Sequence, residues 1–272
     1  VDTTTDVASL RAGLPISRHW SIEAVTGRAE TDLLQQDDYN ASAEDDGIII
    51  NRFSDETFTQ ELRLNFQGLE WLGGPLRGVI GIYTSRLDGD SGLDVVDGNV
   101  LNAGPLSVYL DTQVEVDQQR KGYAFFGDLE WTVRPRWTLL AGLRVDRESL
   151  DYRYSSNNDL AFTRDGPPLT ADIIGDLFGP AVGLPEDGEG DGSSDSDALL
   201  PKLGLRYNWS ESSAVGLTVQ RAYRAGGLSV NFVRGTFNTF DPEYTLTTEL
   251  FARTALFDRR LRLRANLFYT DW

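Results

Sequence analysis

Apolar and polar residues alternate along most of this chain with a period of two. In FTQELRLNFQ (58–67) the side chains at 62, 64 and 66 are apolar and those between them are polar. The same alternation runs through YAFFGDLEWTV (123–133) and RWTLLAGLRVDRE (136–148). Alternation of this kind is typical of β-strands with one apolar and one polar face. No stretch has the helical period over an ordinary length, and TADIIGDLFG (170–179) is interpreted as a short helical turn within a loop.

The pattern predicts roughly ten strands. They lie at about 5–14, 18–30, 56–67, 76–88, 121–133, 136–153, 200–209, 213–225, 245–257 and 260–272. The connections alternate between short and long. The short ones are 15–18, 68–75, 134–136, 210–212 and 258–260, and the long ones are roughly 31–55, 89–120, 154–199 and 226–244.

Connections that alternate in this way favour an all-β, antiparallel transmembrane barrel of up-and-down strands. Such barrels have short turns at one rim, long loops at the other and strands of about 9–11 alternating residues. Aromatic residues near strand ends fit the girdles at the two membrane interfaces; they are Trp20, Trp71, Trp131, Trp137, Trp209, Tyr223 and Tyr269. The alternative is a soluble antiparallel barrel or sandwich whose core holds these aromatics.

Composition removes several other classes of protein. The net charge of −17 repels phosphate backbones, so we expect no nucleic-acid partner. Without cysteine there is no thiolate site, and with His19 as the only histidine no Ser-His-Asp triad with an outward-facing active site can be assembled. We therefore predict no catalytic residue, no resident metal and no cofactor, although an outer-membrane hydrolase stays open as an alternative.

The ends of the chain lead to a further expectation. The first strand runs into a short turn and the last runs out of one, which puts both ends on the outer side. Trp272 is also out of phase with the apolar positions of the last strand, Leu261 to Tyr269. We interpret this strand as internal to a larger barrel. The first residues, VDTTTDVAS, do not have the character of a signal peptide.

Several segments, taken in order, resemble the TonB-dependent outer-membrane receptors. They include FTQELRL, PKLGLRY, RAYRAGG, and PE before TELFARTALFDRRLRLRANLFYTDW. Each is weak alone, but together they cover most of the strands and leave only the long connections unmatched.

The resemblance implies a bacterial outer-membrane location and a 22-stranded barrel closed by an N-terminal plug. Residues 1–272 would then be a partial barrel domain without the plug. The implied function is active uptake of a ferric siderophore or a similar scarce nutrient. The implied partners are that ligand, outer-membrane lipid and the TonB complex, reached through the missing plug segment. A passive porin-like or surface-binding barrel is the alternative.

Two sets of residues are candidates for function. The first is a ligand site in the outer loops, where arginine suits an anionic iron chelate and aromatic rings suit an aryl ligand; it comprises Arg221, Tyr223, Arg224, Phe232, Arg234, Phe237 and Phe240. The alternative is that Tyr223 belongs to an interfacial girdle and that the loop residues pack on their neighbours.

The second set faces the lumen, where the resemblance implies contacts with a plug. Its members are Glu61, Arg63, Arg144, Asp146, Arg206, Glu249 and Arg253, with Asp128, Glu130, Lys202, Arg262 and Arg264 of the same kind. The carboxylates of PEDGEGDGSSDSD (185–197) lack the spacing of a calcium-binding EF-hand, so we expect a solvated acidic loop there.

Overall fold

The computed structural model describes residues 1–39, 47–103, 106–161, 163, 166, 187–231, 236–258 and 260–272. These residues form the strands β1 (Asp2–Pro15), β2 (Trp20–Asp38), β3 (Ile48–Trp71), β4 (Gly74–Ala103), β5 (Leu106–Arg134), β6 (Trp137–Ala161), β7 (Gly188–Ser210), β8 (Ser213–Arg224), β9 (Gly227–Asn231), β10 (Thr236–Phe240), β11 (Glu243–Leu256) and β12 (Leu261–Asp271). No helix in this part of the chain is long and apolar enough to cross a membrane.

Ten of the strands form a single antiparallel sheet. Its order is β1-β2-β3-β4-β5-β6-β7-β8-β11-β12, and β9 pairs with β10 in a separate hairpin inserted between β8 and β11. Every neighbour in the sheet is therefore also the next sheet strand along the chain. The prediction of roughly ten up-and-down antiparallel strands is confirmed.

The register lines up residues of successive strands in rows across the sheet. One row contains Ala24, Leu62, Ile82, Phe125, Val145 and Leu199. These side chains are apolar, yet Leu62 and Phe125 are 46% and 57% exposed. We call the face that carries this row the outer face and the opposite one the inner face. On the inner face, one residue along, Ala124 and Asp146 are buried.

Short turns join the strands at one rim of the sheet, and aromatic side chains gather beside them. Trp71 and Trp131 lie with ring centroids 4.7 Å apart, and the Trp131 indole N–H donates to the Trp71 carbonyl over 2.9 Å. The ring centroids of Trp20 and Phe66 lie 5.5 Å apart, and those of Trp137 and Tyr207 lie 4.7 Å apart. Rings with polar edges in this position fit a membrane interface.

A β-bulge interrupts the β3–β4 ladder at this rim. Gly68, in the bulge, has a φ of 66°, which a residue with a Cβ adopts only with strain. The adjacent Gln67 carbonyl lies 2.9 Å from His19 Nδ1. The single histidine therefore has a structural partner at the end of the β1–β2 turn.

The long connections are shorter than the pattern of the sequence predicts. Most of 31–55 and 89–120 is strand, and so are both ends of 154–199, because β2 to β7 continue far beyond the apolar rows. The predicted acidic loop at 185–197 is wrong for residues 188–197, which belong to β7. Its carboxylates at 189, 191, 195 and 197 already had the spacing of a strand face. The proposed helical turn at 170–179 lies outside the described residues.

The two faces exchange character in these continued strands. We call the part of the sheet formed by 29–38, 48–57, 87–103, 106–120, 150–161 and 188–194 the extension. Its outer face is rich in carboxylates, among them Glu30, Glu56, Asp88, Asp117 and Asp151. Its inner face buries Val114, Val116 and Leu150, which are 2%, 8% and 2% exposed. The apolar layer thus passes from the outer to the inner face along each strand, and its burial stabilises the extension.

Candidate functional site

Ion pairs follow the inner face of β1 to β3. The Arg63 guanidinium binds Glu61 at 2.6 Å and Glu23 at 3.1 Å, and Glu23 also binds Arg11 at 2.5 Å. Three strands contribute to this chain of charges. The sequence predicted Glu61 and Arg63 on this face but missed Arg11 and Glu23, because the choice of partners depends on the register between strands.

A second network joins β4, β5 and β7. Glu130 accepts hydrogen bonds from Arg77 at 2.7 Å and from Arg206 at 2.9 Å, and Lys202 donates to Asp128 at 2.7 Å. Arg206 is the most enclosed of these cations, with a side chain that is 15% exposed. The enclosed guanidinium of Arg206 therefore needs Glu130 as a counter-ion more than the exposed guanidinium of Arg77 does.

The pair Arg144 and Asp146 forms a third inner-face contact. The Arg144 Nε donates to an Asp146 carboxylate oxygen, and the Arg144 guanidinium also lies 5.3 Å from the centroid of the Tyr83 ring. The cation is thus held from two sides, by a carboxylate on its own strand and by an aromatic ring on β4.

Toward β12, charged side chains on the inner face of the described sheet are no longer joined in ion pairs. Glu249 accepts a hydrogen bond from Asn266 at 2.8 Å. Arg253 lies directly opposite Arg264 in the β11–β12 ladder, and within the described ranges neither forms an ion pair. All seven predicted lumen residues lie on the inner face, but at Arg253 the paired pattern of the other strands ends.

A cavity of about 430 Å³ opens on the inner face beside the short turns. Its polar lining includes Ser17, His19, Asn65, Arg77, Asp128 and Glu130. Among the residues that the structure describes, no group of three or more His, Asp or Glu side chains converges as a metal site would. The donors and acceptors of this cavity suit a polar partner that fills the inside of the sheet.

At the other end of β8, Arg221 and Tyr223 pack on Tyr244 of β11. The Arg221 guanidinium lies 4.0 Å from the Tyr244 ring centroid, and the rings of Tyr223 and Tyr244 stack at 6.1 Å. The β7–β8 ladder stops at Lys202 and Gln220, and beyond it the Tyr244 hydroxyl donates to the Asp197 carbonyl at 2.9 Å. This cluster therefore connects β11 with β7 where the ladder between β7 and β8 has ended.

Arg224 belongs to the mouth of the β8–β11 connection. It forms an ion pair with Glu243 at 2.9 Å, and its guanidinium lies 5.8 Å from the Phe240 ring centroid. Its side chain is still 68% exposed. Phe237 lies on β10, but nothing is described of its side chain, and Phe232 and Arg234 lie outside the described residues. Of the predicted ligand residues, the structure brings together two small groups, Arg221 with Tyr223 and Arg224 with Phe240.

The pKa values of two carboxylates on the outer face of the extension are shifted in opposite directions. Hydrogen bonds from Arg86 and then Gln119 hold the pKa of Asp88 below its ordinary value. In contrast, a hydrogen bond shared with Asp117, followed by burial and the charge of Asp117, raises the pKa of Asp90. The Asp90 and Asp117 residues face each other across the β4–β5 ladder, so the carboxyl pair gains by holding a proton.

Several solved structures share the fold of this chain. The ferric yersiniabactin uptake receptor FyuA from Yersinia pestis superimposes with a TM-score of 0.70 at 17% identity, over 98% of this chain and 35% of that one. The closed form of the ferric-catecholate import receptor Fiu from E. coli K12 gives 0.66 at 15% identity, over 98% and 40%. The siderophore receptor PiuA from Acinetobacter baumannii gives 0.65 at 14% identity, over 98% and 40%. The chain thus spans 35% to 40% of the length of these proteins.

The sequence itself matches the family described as TonB dependent receptor-like, beta-barrel, and the match extends over residues 2–272. This agrees with the open antiparallel sheet, with its exposed apolar outer face and its ion-paired inner face. Members of this family are transporters, not enzymes, and they reside in the bacterial outer membrane. The chain therefore belongs to the TonB-dependent receptor-like β-barrel family.

Proposed function

We propose that residues 1–272 are part of the barrel of an outer-membrane receptor that takes up a ferric siderophore or a similarly scarce nutrient, with energy supplied through TonB. The observation that carries this proposal is the family match over residues 2–272. The named substrates of the structural relatives support the substrate class, since these proteins import ferric yersiniabactin and ferric catecholates.

Two features of the sheet suit this function. The inner face presents ion-paired side chains to the lumen, which gives a polar wall against which a plug can pack and slide. At the outer end, Arg224 is exposed beside Phe240, and a guanidinium next to an aromatic ring suits an anionic ligand with aryl groups.

The test begins with the intact protein and a panel of ligands. Ferric siderophores, haem, cobalamin and glycans are titrated against the purified protein by intrinsic fluorescence, followed by uptake of the tightest ligand into cells with and without TonB. We expect saturable binding of one class and uptake only in cells with TonB. Uptake that persists without TonB would identify a passive, porin-like barrel instead.

The Arg224→Ala variant tests the ligand site separately. Loss of a charge-assisted hydrogen bond to the ligand should weaken binding about 10-fold. Arg134→Ala, which removes an exposed arginine at the opposite rim, is the matched control. Unchanged binding in Arg224→Ala would exclude this residue from the site without affecting the proposal of active uptake.

A further inference from the structure

One edge of β7 has no partner strand over the part that lies furthest from the short turns. On the β6 side, the ladder continues as far as Gly188. On the β8 side it already ends at Lys202, opposite Gln220. Within the described part of the chain, no strand pairs with residues 188–201 on that side. The backbone N–H and C=O groups of this free edge are therefore a template for a further strand.

Pro201 explains why the ladder ends where it does. The hydroxyl of Tyr244, on β11 beyond β8, donates to the Asp197 carbonyl at 2.9 Å, so the backbone of residue 197 points toward β8. Backbone groups of every second residue in a strand point the same way, and Pro201 is in phase with Asp197. Proline has no N–H, so the rung opposite Arg221 lacks a donor and the ladder stops at the preceding pair.

The hairpin of β9 and β10, which we call the arm, continues the hairpin of β8 and β11 in the same register. Arg224 lies opposite Glu243 in the β8–β11 ladder. Gly227, three residues after Arg224, lies opposite Phe240, three residues before Glu243. The interruption therefore takes the same number of residues from each strand, and the four strands form one long hairpin with a break in the middle.

The break has the composition of a hinge. It consists of residues 225–226 on one strand and 241–242 on the other. Pro242 has no N–H with which to continue the ladder. A Cβ on Gly226 would lie 2.5 Å from the Phe240 carbonyl oxygen, so the observed path of the chain requires a glycine there. Because the ladder is already interrupted here, the arm can turn relative to β8 without breaking the rungs of either hairpin.

The arm matches the free edge of β7 in position and length. With Lys202 opposite Gln220, a straight continuation of β8 sets residues 227–231 opposite residues 191–195. β9 consists of those five residues. In the structure β9 pairs with β10, and its other edge has no partner among the described strands. The two free edges thus continue two strands that are already paired with each other.

Charge favours the arm over a second copy of the chain as the partner of this edge. The exposed outer side chains of β7 here include Glu189, Asp191 and Asp195. Antiparallel pairing of two such edges would set carboxylates opposite carboxylates, which is unfavourable. β9 and β10 contain no charged residue, so the arm can add to the edge without this repulsion.

A side chain occupies one of the rungs that this pairing would use. In the continued register Asp197 lies opposite Ala225, whose N–H would donate to the Asp197 carbonyl. In the structure the Tyr244 hydroxyl donates to that carbonyl instead. The hydroxyl and the Ala225 N–H therefore compete for one acceptor, and loss of the hydroxyl favours the paired arm.

We propose that the arm turns at Gly226 and Pro242 and adds to the free edge of β7, so that β9 continues the ladder between β7 and β8. This pairing closes the wall of the sheet between β7 and β11 beyond Tyr244. Continuity with the β7–β8 register and the lack of charge on the arm select it as the partner. The inference concerns the wall of the sheet and does not rest on the uptake of any ligand.

Disulfide formation measures the pairing, because residues 1–272 contain no cysteine. Ser193 and Ser229 are opposite each other in the proposed register, and opposite residues of an antiparallel ladder lie within about 5.5 Å at Cα, which suits a disulfide. The intact Ser193→Cys/Ser229→Cys protein is oxidised in outer-membrane vesicles, and its free thiols are followed with a maleimide reagent. We expect closure about 10-fold faster than in Ser193→Cys/Asn238→Cys, whose second cysteine lies one strand further from β7.

The pair Ser229→Cys/Asn238→Cys verifies that the arm is folded, because these residues already lie opposite each other. If it closes while Ser193→Cys/Ser229→Cys closes no faster than Ser193→Cys/Asn238→Cys, the proposal is overturned. Dimers linked through Ser193→Cys alone would also overturn it, because a second copy would then occupy the edge of β7.

The variant Tyr244→Phe removes the competing hydroxyl and should speed closure of the Ser193→Cys/Ser229→Cys pair about 5-fold. Tyr207→Phe, at the rim of the short turns, is the matched control and should leave the rate unchanged. An unchanged or slower rate in Tyr244→Phe would contradict the competition for the Asp197 carbonyl and show that the arm does not reach this rung.

Discussion

At the scale of single residues, charge is placed so that most cations meet carboxylates on the same face. On the inner face one residue commonly serves two partners, as Glu130 does for Arg77 and Arg206 and as Arg63 does for Glu61 and Glu23. Ion pairs between solvent-exposed side chains are individually weak. Their value rises where a side chain is enclosed, and Arg206 is the clearest example.

Removal of the Glu130 carboxylate should therefore destabilise the sheet through Arg206. We expect Glu130→Ala to lower the free energy of unfolding by about 1–3 kcal/mol, because a partly buried guanidinium loses its counter-ion. Urea unfolding of the detergent-solubilised protein, followed by tryptophan fluorescence, measures the change. Glu211→Ala, in the exposed β7–β8 turn, is the control and should have little effect. Equal effects of the two substitutions would show that the network contributes nothing to stability.

The contributions of Asp90 and Asp88 to the stability of the fold should change with pH in opposite directions. The folded-state pKa of Asp90 is raised, so folding is favoured most when its carboxyl is protonated, and this benefit is lost as pH rises through the folded pKa. Asp90→Asn should thus raise the denaturation temperature at neutral pH and have no effect below the unfolded pKa of about 4.

The pKa of Asp88 is lowered, so its contribution is present above the unfolded pKa and is lost as pH falls through the folded one. Asp88→Asn should therefore lower the denaturation temperature at neutral pH, and the difference should vanish in acid. Thermal denaturation of both variants across pH 3 to 8 measures these trends. Shifts of the same sign in both variants would contradict the assigned hydrogen bonds.

At the scale of elements, the sequence predicted the parts of each strand where the apolar face is continuous. Leu62 and Leu64, for example, follow the period-two pattern and belong to β3 as expected. The extension escaped prediction because its outer face is charged and its inner face contains glycine and serine, a composition typical of loops. Gly190 and Gly192 are an example: a Cβ on either would lie 2.7 Å or 2.4 Å from the Tyr154 or Tyr152 hydroxyl, so the tyrosine rings fill the space that their side chains would occupy.

Contacts between strands were also beyond the sequence. Whether Arg77 meets Glu130, or Tyr223 stacks on Tyr244, is decided by register, and a shift of two residues would preserve the faces while changing every pair. The local sequence decides which side chains share a face of a strand. Which side chains meet across neighbouring strands is decided only when the sheet assembles.

The β11–β12 turn offers a test at the level of one element. Phe257 and Asp258 have φ values of 52° and 54°, which are strained for residues with a Cβ. Replacing Asp258 with glycine removes one strained position, and we expect a gain of about 0.5–1 kcal/mol in unfolding free energy. Glu211→Gly, in a turn where no positive φ is required, should give no such gain, and a loss in Asp258→Gly would show that the aspartate side chain stabilises the turn.

At the scale of the whole molecule, the sheet consists of two sections with opposite polarity. Below the row of Lys121 the apolar side chains face outward to lipid, and above it they face inward. We interpret this arrangement as a consequence of the two surroundings expected for an outer-membrane barrel, lipid around the first section and water around the second. It allows one set of continuous strands to cross the membrane and to continue beyond it with a buried layer in each environment.

The inversion predicts that the two sections respond differently to a charge on the inner face. Val114, 2% exposed, lies in the apolar layer of the extension, and Val114→Asp would bury an unpaired carboxylate at a cost of several kcal/mol. We expect limited proteolysis of the intact protein to cleave within 87–120 in this variant, while the rim aromatics, such as Trp71 and Trp131, keep their folded fluorescence. Gln113→Asp places the same charge one residue away, on the exposed outer face of the strand, and should leave the extension resistant to the protease. Equal cleavage of both variants would contradict a packed inner layer, and loss of the Trp71 and Trp131 signal together with cleavage would show that the two sections unfold as one unit.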